Sequence, residues 1–519
     1  MPKSPKSPKS PKSPKSPKSP KSPKSPKSPK SSKSSRSIDS VPRSATSSIP
    51  SHPAHYQSSS TPSFPYSHHE DPSLKILIVG AGIGGLLMGY CLEMAGIDYV
   101  ILERTQRSHV SKAAIQLSSN TLYTLEQLGL LEEVMKIAKP TAGMTLRKQN
   151  LSVMGRVDLK YFNERHGFYT YTVQRTEFCE ILVSRMRKDR IRWGQYVLEI
   201  VSGNAGVQCR CANGYVEQGD ILVGADGAHS AVRQNLYKNL RDKGLLPKCD
   251  MEGLKVTQNS IIGLTRPVDL KRFPDAGAEL AEVHIISGKE GSPFTLWLSP
   301  TSGNRINWSV AGPLLTNNKS EDSFMLSHFG PEEIAKTCRL ISDLEIPYGG
   351  TLGDLIAITD DDCMTKMLVE ERYFKTWYHG RTVLIGEACH KYVSYSGQGA
   401  EQAMLDAVCL VNLFHKLESP FQLKDITAAF ETYFETRLPE TKAAIQASAQ
   451  TANLIHGQGL AADMMRKIVF NLPAWIQAAS IDKMQVRYFL DFLPIVPDRG
   501  SKPIPPTRPT CIKSSVSRE

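Results

Sequence analysis

The sequence lacks the features that mark secreted and membrane-spanning proteins. Its 519 residues include ten cysteines, but no C-x-x-C pair occurs and no apolar signal-peptide core follows the basic N-terminus. A secreted disulfide framework is therefore not expected. No run of eighteen uncharged apolar residues occurs either, so no transmembrane helix is predicted. We expect an intracellular, cytoplasmic protein with reduced cysteines.

The nearest approach to a long apolar run is the segment of residues 464–479. It is interrupted by Arg466, Lys467 and Pro473, which is too much charge for a spanning helix. The pattern favours a packed amphipathic helix, and a helix lying on a membrane surface is the alternative.

The positive charge of the chain is concentrated at its N-terminus. Residues 1–72 contain thirteen basic and three acidic residues, so they carry +10 of the formal net charge of +12. Residues 1–33 repeat Ser-Pro-Lys, and proline at every third position prevents helix and sheet from propagating. We predict a disordered, solubilising tail and linker over 1–72, with proline-directed phosphorylation or nucleic-acid binding through the lysines as alternatives.

A glycine motif after an apolar strand is the central feature of what remains. Residues 75–79 read as a buried parallel strand, and Gly80, Gly82 and Gly85 complete G-x-G-x-x-G ahead of a helical apolar pattern. The first glycine allows a tight turn, the second leaves room for a pyrophosphate, and the third lets helix and strand pack closely. The phosphates would lie at the N-terminus of the helix.

A second apolar strand, residues 99–102, ends in Glu103. An acid about twenty residues after the glycines suits the 2′-hydroxyl of an unphosphorylated ribose, which favours FAD or NAD. The alternative is a glycine-rich turn in an ordinary βαβ unit.

Further segments follow in an α/β order. Asn120 is predicted to cap a helix, and Arg175 is predicted to begin another. Residues 220–224 form a strand that leads into Gly-Ala-Asp226-Gly, and residues 380–385 form a strand that leads into Gly-Glu387-Ala-Cys-His. Residues 255–370 alternate short β-rich runs with turns, and residues 426–490 are helical in pattern.

Three motifs stand in one order, at residues 80–85, 224–233 and 386–406. This combination resembles the single-component FAD-dependent monooxygenases of the para-hydroxybenzoate and salicylate hydroxylase type, especially those of fungal secondary metabolism. The resemblance spans roughly residues 74–440. It implies an α/β fold with a Rossmann-like FAD-binding domain, an inserted β-sheet substrate domain and a helical C-terminal region.

The resemblance divides the chain into five parts. These are a tail and linker (1–72), the first part of the FAD-binding domain (73–250), a mainly β substrate domain (251–370), the return segment of the FAD-binding domain (371–440), and a helical region with a Pro-rich extension (441–519).

The resemblance also assigns cofactor contacts. Glu103 would hold the adenosine ribose, and Arg104 and Arg175 would lie against the adenine and pyrophosphate. The other predicted cofactor residues are Gln116 beside the flavin, Asp226 near the pyrophosphate and a transient nicotinamide nucleotide, Glu387 on the ribityl chain, and Gly397, Gly399 and Ala400 at the pyrimidine edge. Backbone N–H groups at a helix N-terminus would stabilise negative charge on the flavin there.

The chain departs from the family pattern at two positions. The family usually has Asp where this chain has Glu387, and many relatives have Pro at the position of Ser394. No catalytic acid or base and no metal site is assigned. His390 is interpreted as a structural hydrogen-bonding residue rather than a proton relay, and Tyr392 and Tyr395 either face the cleft or pack against it.

The implied chemistry follows from the cofactor. NADPH or NADH would reduce FAD, O2 would add to the flavin, and the resulting C4a-hydroperoxide would transfer one oxygen to a small aromatic or terpenoid substrate such as a phenol, a benzoate or a prenylated ring. The sequence has no second G-x-G-x-x-G, so the reductant would bind transiently over the same cleft. The oligomeric state is not predicted.

Two other functions remain open at this point. A flavin reductase or halogenase could use the same scaffold, although the W-x-W-x-I-P pattern of a halogenase is absent. A degenerate flavin fold with a nucleic-acid-binding tail would require loss of the motif glycines or of Glu103, and all of them are present.

Overall fold

The computed structural model describes residues 73–106, 113–289, 291–312, 330–392, 397–457, 459–483 and 485–507. The predicted N-terminal tail lies outside the described residues, as do Ser394 and Tyr395.

The strands alternate between two large sheets along the chain. In chain order they are β1 (Lys75–Val79), β2 (Asp98–Glu103), β3 (Ala114–Leu117), β4 (Ala138–Arg147), β5 (Val153–Asp158), β6 (Thr170–Gln174), β7 (Ile191–Trp193), β8 (Val197–Ser202), β9 (Val207–Cys211), β10 (Val216–Gly219), β11 (Ile221–Gly224), β12 (Lys255–Leu264), β13 (Ala281–Ile286), β14 (Thr295–Thr301), β15 (Arg305–Gly312), β16 (Met364–Tyr373), β17 (Tyr378–His379), β18 (Thr382–Leu384), β19 (His390–Lys391), β20 (Arg487–Tyr488) and β21 (Pro506–Thr507).

The helices surround these sheets. They are α1 (Ile83–Met94), α2 (Ser119–Gln127), α3 (Leu131–Ile137), α4 (Lys160–His166), α5 (Arg175–Arg185), α6 (Ala231–Asp242), α7 (Pro274–Gly277), α8 (Pro331–Ile341), α9 (Leu352–Ala357), α10 (Gly399–Phe414), α11 (Leu423–His456), α12 (Leu460–Phe470) and α13 (Ala474–Asp482).

The predicted dinucleotide unit forms the centre of a six-stranded sheet in the described residues. The strand order is β17-β18-β11-β1-β2-β7, and all neighbours except β17 and β18 are parallel. The apolar run of β1 is buried on both faces, as expected for a parallel strand covered by helices. Helix α1 approaches α10 closely, since a Cβ at Gly84 would lie 3.2 Å from the Cβ of Ala403.

The second sheet has ten strands in the described residues, with the order β19-β16-β12-β15-β14-β13-β4-β6-β3 and β5 paired to β4. This sheet is not confined to the predicted substrate region of residues 251–370, because β3, β4, β5 and β6 belong to it as well. The parallel pairing of β4 with β13 joins the two stretches of chain. Such a pairing between distant segments leaves no local signal in the sequence.

Two local predictions also need correction. Ser118, rather than Asn120, caps α2, because its hydroxyl accepts a hydrogen bond from the backbone N–H of Asn120. The Asn120 side chain instead accepts from the N–H of Val486 at 3.0 Å. Residues 464–479 do not form one helix, since they are divided between α12 and α13. Among the described residues, none of the helices combines the length and the apolar character needed to cross a bilayer.

Candidate active site

The glycine turn after β1 has the geometry that its sequence predicts. Gly80 has φ of +108°, and a Cβ on it would lie 2.5 Å from the carbonyl oxygen of Ala225. A Cβ on Gly85 would lie 2.0 Å from the carbonyl oxygen of Gly80. Both positions therefore require glycine for the close packing of the chain itself.

Gly82 differs from Gly80 and Gly85, the other two glycines of the motif. A Cβ there would meet nothing closer than Nη2 of Arg175 at 3.9 Å. Its backbone is extended, with φ of −76° and ψ of 179°, and it begins α1 without a side-chain cap. The protein itself thus has room for a side chain at this position, and the helix N–H groups beyond it face a cavity.

Glu103 lies beside this turn at the end of β2. Its carboxylate accepts hydrogen bonds from the N–H of Ala81 at 2.7 Å and from the N–H and hydroxyl of Thr105 at 2.8 Å. Arg104 is exposed and does not line the cavity. The structure therefore brings Glu103 to the glycine turn and leaves Arg104 on the surface.

Arg175 and Gln116 also line the cavity. Arg175 is the first residue of α5, directly after β6, and Gln116 lies on β3, which pairs with β6. The Nε atom of Arg175 is buried without a hydrogen-bond partner in the described residues. The guanidinium group of Arg175, whose Nη2 lies near Gly82, therefore offers this buried Nε–H as a donor to an anionic group.

Glu387 lies in a 3₁₀ turn over Gly386–Ala388 after β18 and lines the cavity. Its Oε1 accepts a hydrogen bond from Nζ of Lys391 at 2.6 Å. Burial alone would raise the pKa of Glu387. The ion pair with Lys391 and the positive charge of Arg175 outweigh burial and hold the pKa below its usual value. Glu387 is therefore an anion at neutral pH.

A buried polar cluster supports this turn from behind. Asp406 accepts hydrogen bonds from the N–H of Gly386 at 2.8 Å, from Nε of Arg437 at 2.8 Å, and shares one with Nε2 of His390 at 2.7 Å. Burial alone would raise the pKa of Asp406, but the charges and hydrogen bonds of His390 and Arg437 lower it to about 2. His390 thus makes a buried hydrogen bond of the kind that its structural interpretation predicts.

The sequence analysis assigned no role to Asp406 or Arg437. Both side chains are completely buried, and they come from α10 and α11. The signal available in the sequence was a charged residue within each of two helical apolar patterns. Such a charge requires a partner when the helix packs it inside the protein. The sequence does not show that the partners lie beneath the Glu387 turn.

The N-terminus of α10 forms a further wall of the cavity. Gly397 has φ of +66°, and α10 begins after Gln398 without a side-chain cap. Gly397, Gly399 and Ala400 all line the cavity. Glu401 fixes this end of the helix, because its Oε1 accepts from the N–H of Ser118 at 2.6 Å and from its hydroxyl at 2.8 Å.

Asp226 lies close to the cavity but points elsewhere. Its carboxylate accepts from the hydroxyl of Ser230 at 2.5 Å and from the N–H of Val232 at 3.1 Å, at the start of α6. Burial raises its pKa, although these hydrogen bonds act in the opposite direction. Its neighbours Ala225 and Gly227 line the cavity, so Asp226 shapes the wall through the backbone.

These walls enclose one end of a cavity of about 980 Å³ that continues between the ten-stranded sheet and the C-terminal helices. The sheet contributes Ser260, Trp297, Ser299, Asn307 and Ser309. The helices contribute Leu454, Val469 and Phe470, and the turn between α12 and α13 contributes Leu472. Among the described lining residues the charged ones are Arg175, Glu387 and Glu401, and all three lie at the glycine end. Tyr392 also lines the cavity, and burial raises its pKa well above the usual value.

The residues at the glycine end fit an extended dinucleotide. Two uncapped helix N-termini open on the same cavity, Gly82 leaves space where a side chain would fit, and Arg175 provides a buried donor without a partner in the described residues. The parallel sheet carries this turn, and a common cavity joins it to the second sheet. This architecture is typical of a dinucleotide-dependent enzyme with a separate substrate region.

Comparison with known proteins identifies the class more closely. Residues 73–258 and 353–448 match the FAD binding domain family. The chain is 31% identical over 355 residues to the FAD-dependent monooxygenase paxM of Penicillium paxilli, covering 67% of this chain and 71% of that protein. It is 28% identical over 350 residues to the FAD-dependent monooxygenase ctvC of Aspergillus terreus, with 67% and 71% covered.

Solved structures share the fold. Klebsiella pneumoniae HpxO complexed with FAD and uric acid aligns with a TM-score of 0.63 at 23% identity, covering 79% of this chain and 96% of that one. The 2,6-dihydroxypyridine-3-hydroxylase of Arthrobacter nicotinovorans aligns with a TM-score of 0.59 at 17% identity, covering 75% and 94%.

The chain thus belongs to the FAD binding domain family. It is an FAD-dependent monooxygenase of the fungal secondary-metabolism type, and it binds FAD.

Proposed function

We propose that this monooxygenase uses NADPH or NADH as reductant and O2 as oxidant to hydroxylate or epoxidise an uncharged, apolar aromatic or prenylated molecule. The observation that carries this proposal is the distribution of charge in the cavity. Its charged lining residues in the described chain are confined to the glycine end, and the end beneath the ten-stranded sheet is lined by apolar and neutral polar side chains.

The described lining beneath the ten-stranded sheet, which we call the substrate end, has no charged side chain, and this favours one of the substrate classes suggested by the sequence over the other. A benzoate would leave its carboxylate without an ionic partner there, and burying an unpaired anion carries a large desolvation cost. A phenol or prenylated ring needs only neutral hydrogen-bond partners, such as the side chains of Ser260, Ser299 and Ser309. We therefore favour an uncharged substrate over a benzoate.

The proposed cofactor contacts follow from the wall geometry. Arg175 and the first N–H groups of α1 would hold the pyrophosphate, with Gly82 leaving room for it. Glu103 would exchange one of its present hydrogen bonds for the adenosine ribose, and Glu387 would accept one from the ribityl chain. Gly397, Gly399 and Ala400 would present N–H groups to the flavin ring beside Gln116. Arg104 and Asp226 would contribute to cofactor binding from outside the cavity wall.

Bound FAD supplies the redox chemistry that transfers one atom of O2 to the substrate. The residues of this chain would position the ring, exclude water and keep charge away from the substrate. The positive end of α10 would stabilise negative charge on the reduced ring. Glu387 would remain ionised through its pair with Lys391, so it would accept a hydrogen bond without supplying a proton at neutral pH.

The test uses the purified full-length protein. Its visible absorption is recorded before and after anaerobic addition of NADPH and again after air is admitted. A flavin band that bleaches and then returns supports the proposal, and uncharged phenols and prenylated aromatics should then accelerate NADPH oxidation more than benzoates do. A faster reaction with benzoates would overturn the proposed substrate class, and a band that neither NADPH nor NADH bleaches would overturn the proposed reductant.

A further inference from the structure

Two consecutive C-terminal helices present large apolar side chains to solvent. Helix α12 and the start of α13 carry five such residues, each between 53% and 89% exposed: Leu460, Met464, Met465, Ile468 and Trp475. We refer to these five residues as the outer face. An exposed apolar cluster of this kind marks an interaction surface more often than an isolated exposed residue does.

The opposite side of α12 is firmly held. Arg466 is buried and donates from Nη1 to the carbonyl oxygens of Leu454 at 3.0 Å and Gly457 at 2.7 Å. Phe470 packs closely on β5, since a Cβ added to Gly155 would lie 2.6 Å from the Cβ of Phe470. Asn471 donates to the carbonyl oxygen of Met154 at 2.9 Å. The outer face is therefore displayed by an anchored helix.

The same two helices form a wall of the cavity. Val469 and Phe470 of α12 and Gln477 and Ser480 of α13 line it. The outer face thus lies on the far side of the wall that closes the uncharged end of the cavity. An apolar surface next to an apolar cavity suits a partner that has an apolar interior and not only an apolar surface.

The charges near this surface favour an anionic partner. Lys467 and Lys483 are exposed on or beside the two helices. The neighbouring acids are engaged, because Asp463 pairs with Arg466 and Lys148, and Asp482 pairs with Arg165 and Lys502. Elsewhere in the sequence, residues 1–72 form a basic segment with a net charge of +10. Basic segments of this kind are attracted to anionic lipid headgroups.

We propose that the outer face docks on a lipid bilayer that contains anionic lipids. Methionine, isoleucine and leucine side chains would enter the boundary between headgroups and acyl chains, with Trp475 at the interface, where its amphipathic ring is favoured. The lysines would remain at the headgroups. Entry of an apolar substrate from the bilayer into the adjacent cavity rests on the proposed function, but docking itself does not.

The test is flotation of the full-length holoenzyme with phosphatidylcholine vesicles, with and without phosphatidylserine. The outer-face variant carries Met464→Ser, Ile468→Ser and Trp475→Ser. A matched control carries Leu245→Ser and Leu340→Ser, which remove exposed leucines of similar accessibility elsewhere. Visible absorption reports FAD content in every fraction, so a loss of docking is distinguished from a loss of the flavoprotein.

We expect wild type and control to float with phosphatidylserine vesicles, and binding to weaken with added salt. The outer-face variant should bind at least about tenfold more weakly. Trp475 fluorescence should shift to the blue on vesicle binding, because the ring leaves water. Three results would overturn the proposal. The wild type stays unbound, the control substitutions weaken vesicle binding as much as the outer-face substitutions do, or the outer-face substitutions convert a wild-type dimer to monomer without any vesicle binding.

Discussion

The two ends of the cavity are built in different ways. The glycine end depends on backbone groups and a few charges, each held by a short segment that follows a strand. The substrate end depends on neutral side chains from several strands and three helices, none of which is placed by a local motif. The glycine end is suited to one invariant ligand. At the substrate end, single side chains can change without disturbing the glycine end.

The largest expected effect separates two glycines of one motif. Gly85→Ala should destabilise the protein by about 3 kcal/mol or more, since its Cβ would lie 2.0 Å from a backbone oxygen that cannot move freely. Gly82→Val should leave the stability of the FAD-free protein within about 1 kcal/mol and still prevent FAD from binding, so both variants are compared with FAD-free wild type because bound FAD itself stabilises the fold. Thermal unfolding and FAD content measure the two effects. Equal melting temperatures for the two variants would contradict the assignment of Gly82 to the ligand.

The second prediction concerns the support beneath the glycine end. Asp406→Ala should lower the free energy of unfolding by about 3–5 kcal/mol, because it removes the fully buried one of the two carboxylates that pair with Arg437 and leaves His390 without its acidic partner. Asp189→Ala, on an exposed pair, serves as control and should change stability by less than about 1 kcal/mol. Denaturant unfolding at neutral pH measures both.

The same carboxylate predicts a pH dependence. The pKa of Asp406 is about 2 in the folded protein and 3.8 ordinarily, so the unfolded chain takes up the proton first as the pH falls. Its contribution to stability is complete above pH 3.8 and is lost as the pH falls through about 2. Asp406→Asn should therefore show a shallower loss of stability than wild type in this window. An unchanged slope would rule out the depressed pKa.

The third prediction tests the charge at the glycine end. Glu387→Gln should weaken FAD binding by about tenfold, because it loses a charge-assisted acceptor and leaves Lys391 without its anion. Glu387→Asp keeps the charge and should bind FAD more tightly than Glu387→Gln. Fluorescence of released FAD gives both dissociation constants. If the Gln variant binds as well as wild type, Glu387 is not a cofactor ligand.

The smallest effect is expected at the substrate end. Ser309→Asp introduces a charge there and should raise the concentration of an uncharged aromatic needed to stimulate NADPH oxidation by roughly tenfold, owing to desolvation of the carboxylate. Ser309→Ala should change it only about twofold. FAD content should be unchanged in both, and a loss of FAD in either variant would show that the two ends are not independent.

The sequence predicted the glycine end well because its elements are local. The turn over Gly80–Gly85, the strand ending at Glu103 and the helix beginning at Arg175 each form within a few residues, so spacing alone identifies them. The contacts of Asp406 with His390 and Arg437 depend on how α10 and α11 pack, which no spacing reveals. The capping residue of α2 was misassigned because Ser118 and Asn120 are both good caps, and only the tertiary contact of Asn120 with Val486 decides between them.

The order of strands along the chain has a practical consequence for enzyme engineering. The polypeptide leaves the parallel sheet after β2, builds β3 to β6 of the second sheet, returns for β7 and β11, and leaves again for β12 to β16. A chimera that exchanges only residues 255–373 with a homologue would therefore build the sheet wall of its substrate chamber from strands of both parents. Recombination would preserve this sheet wall only if residues 114–174 were transferred in the same exchange.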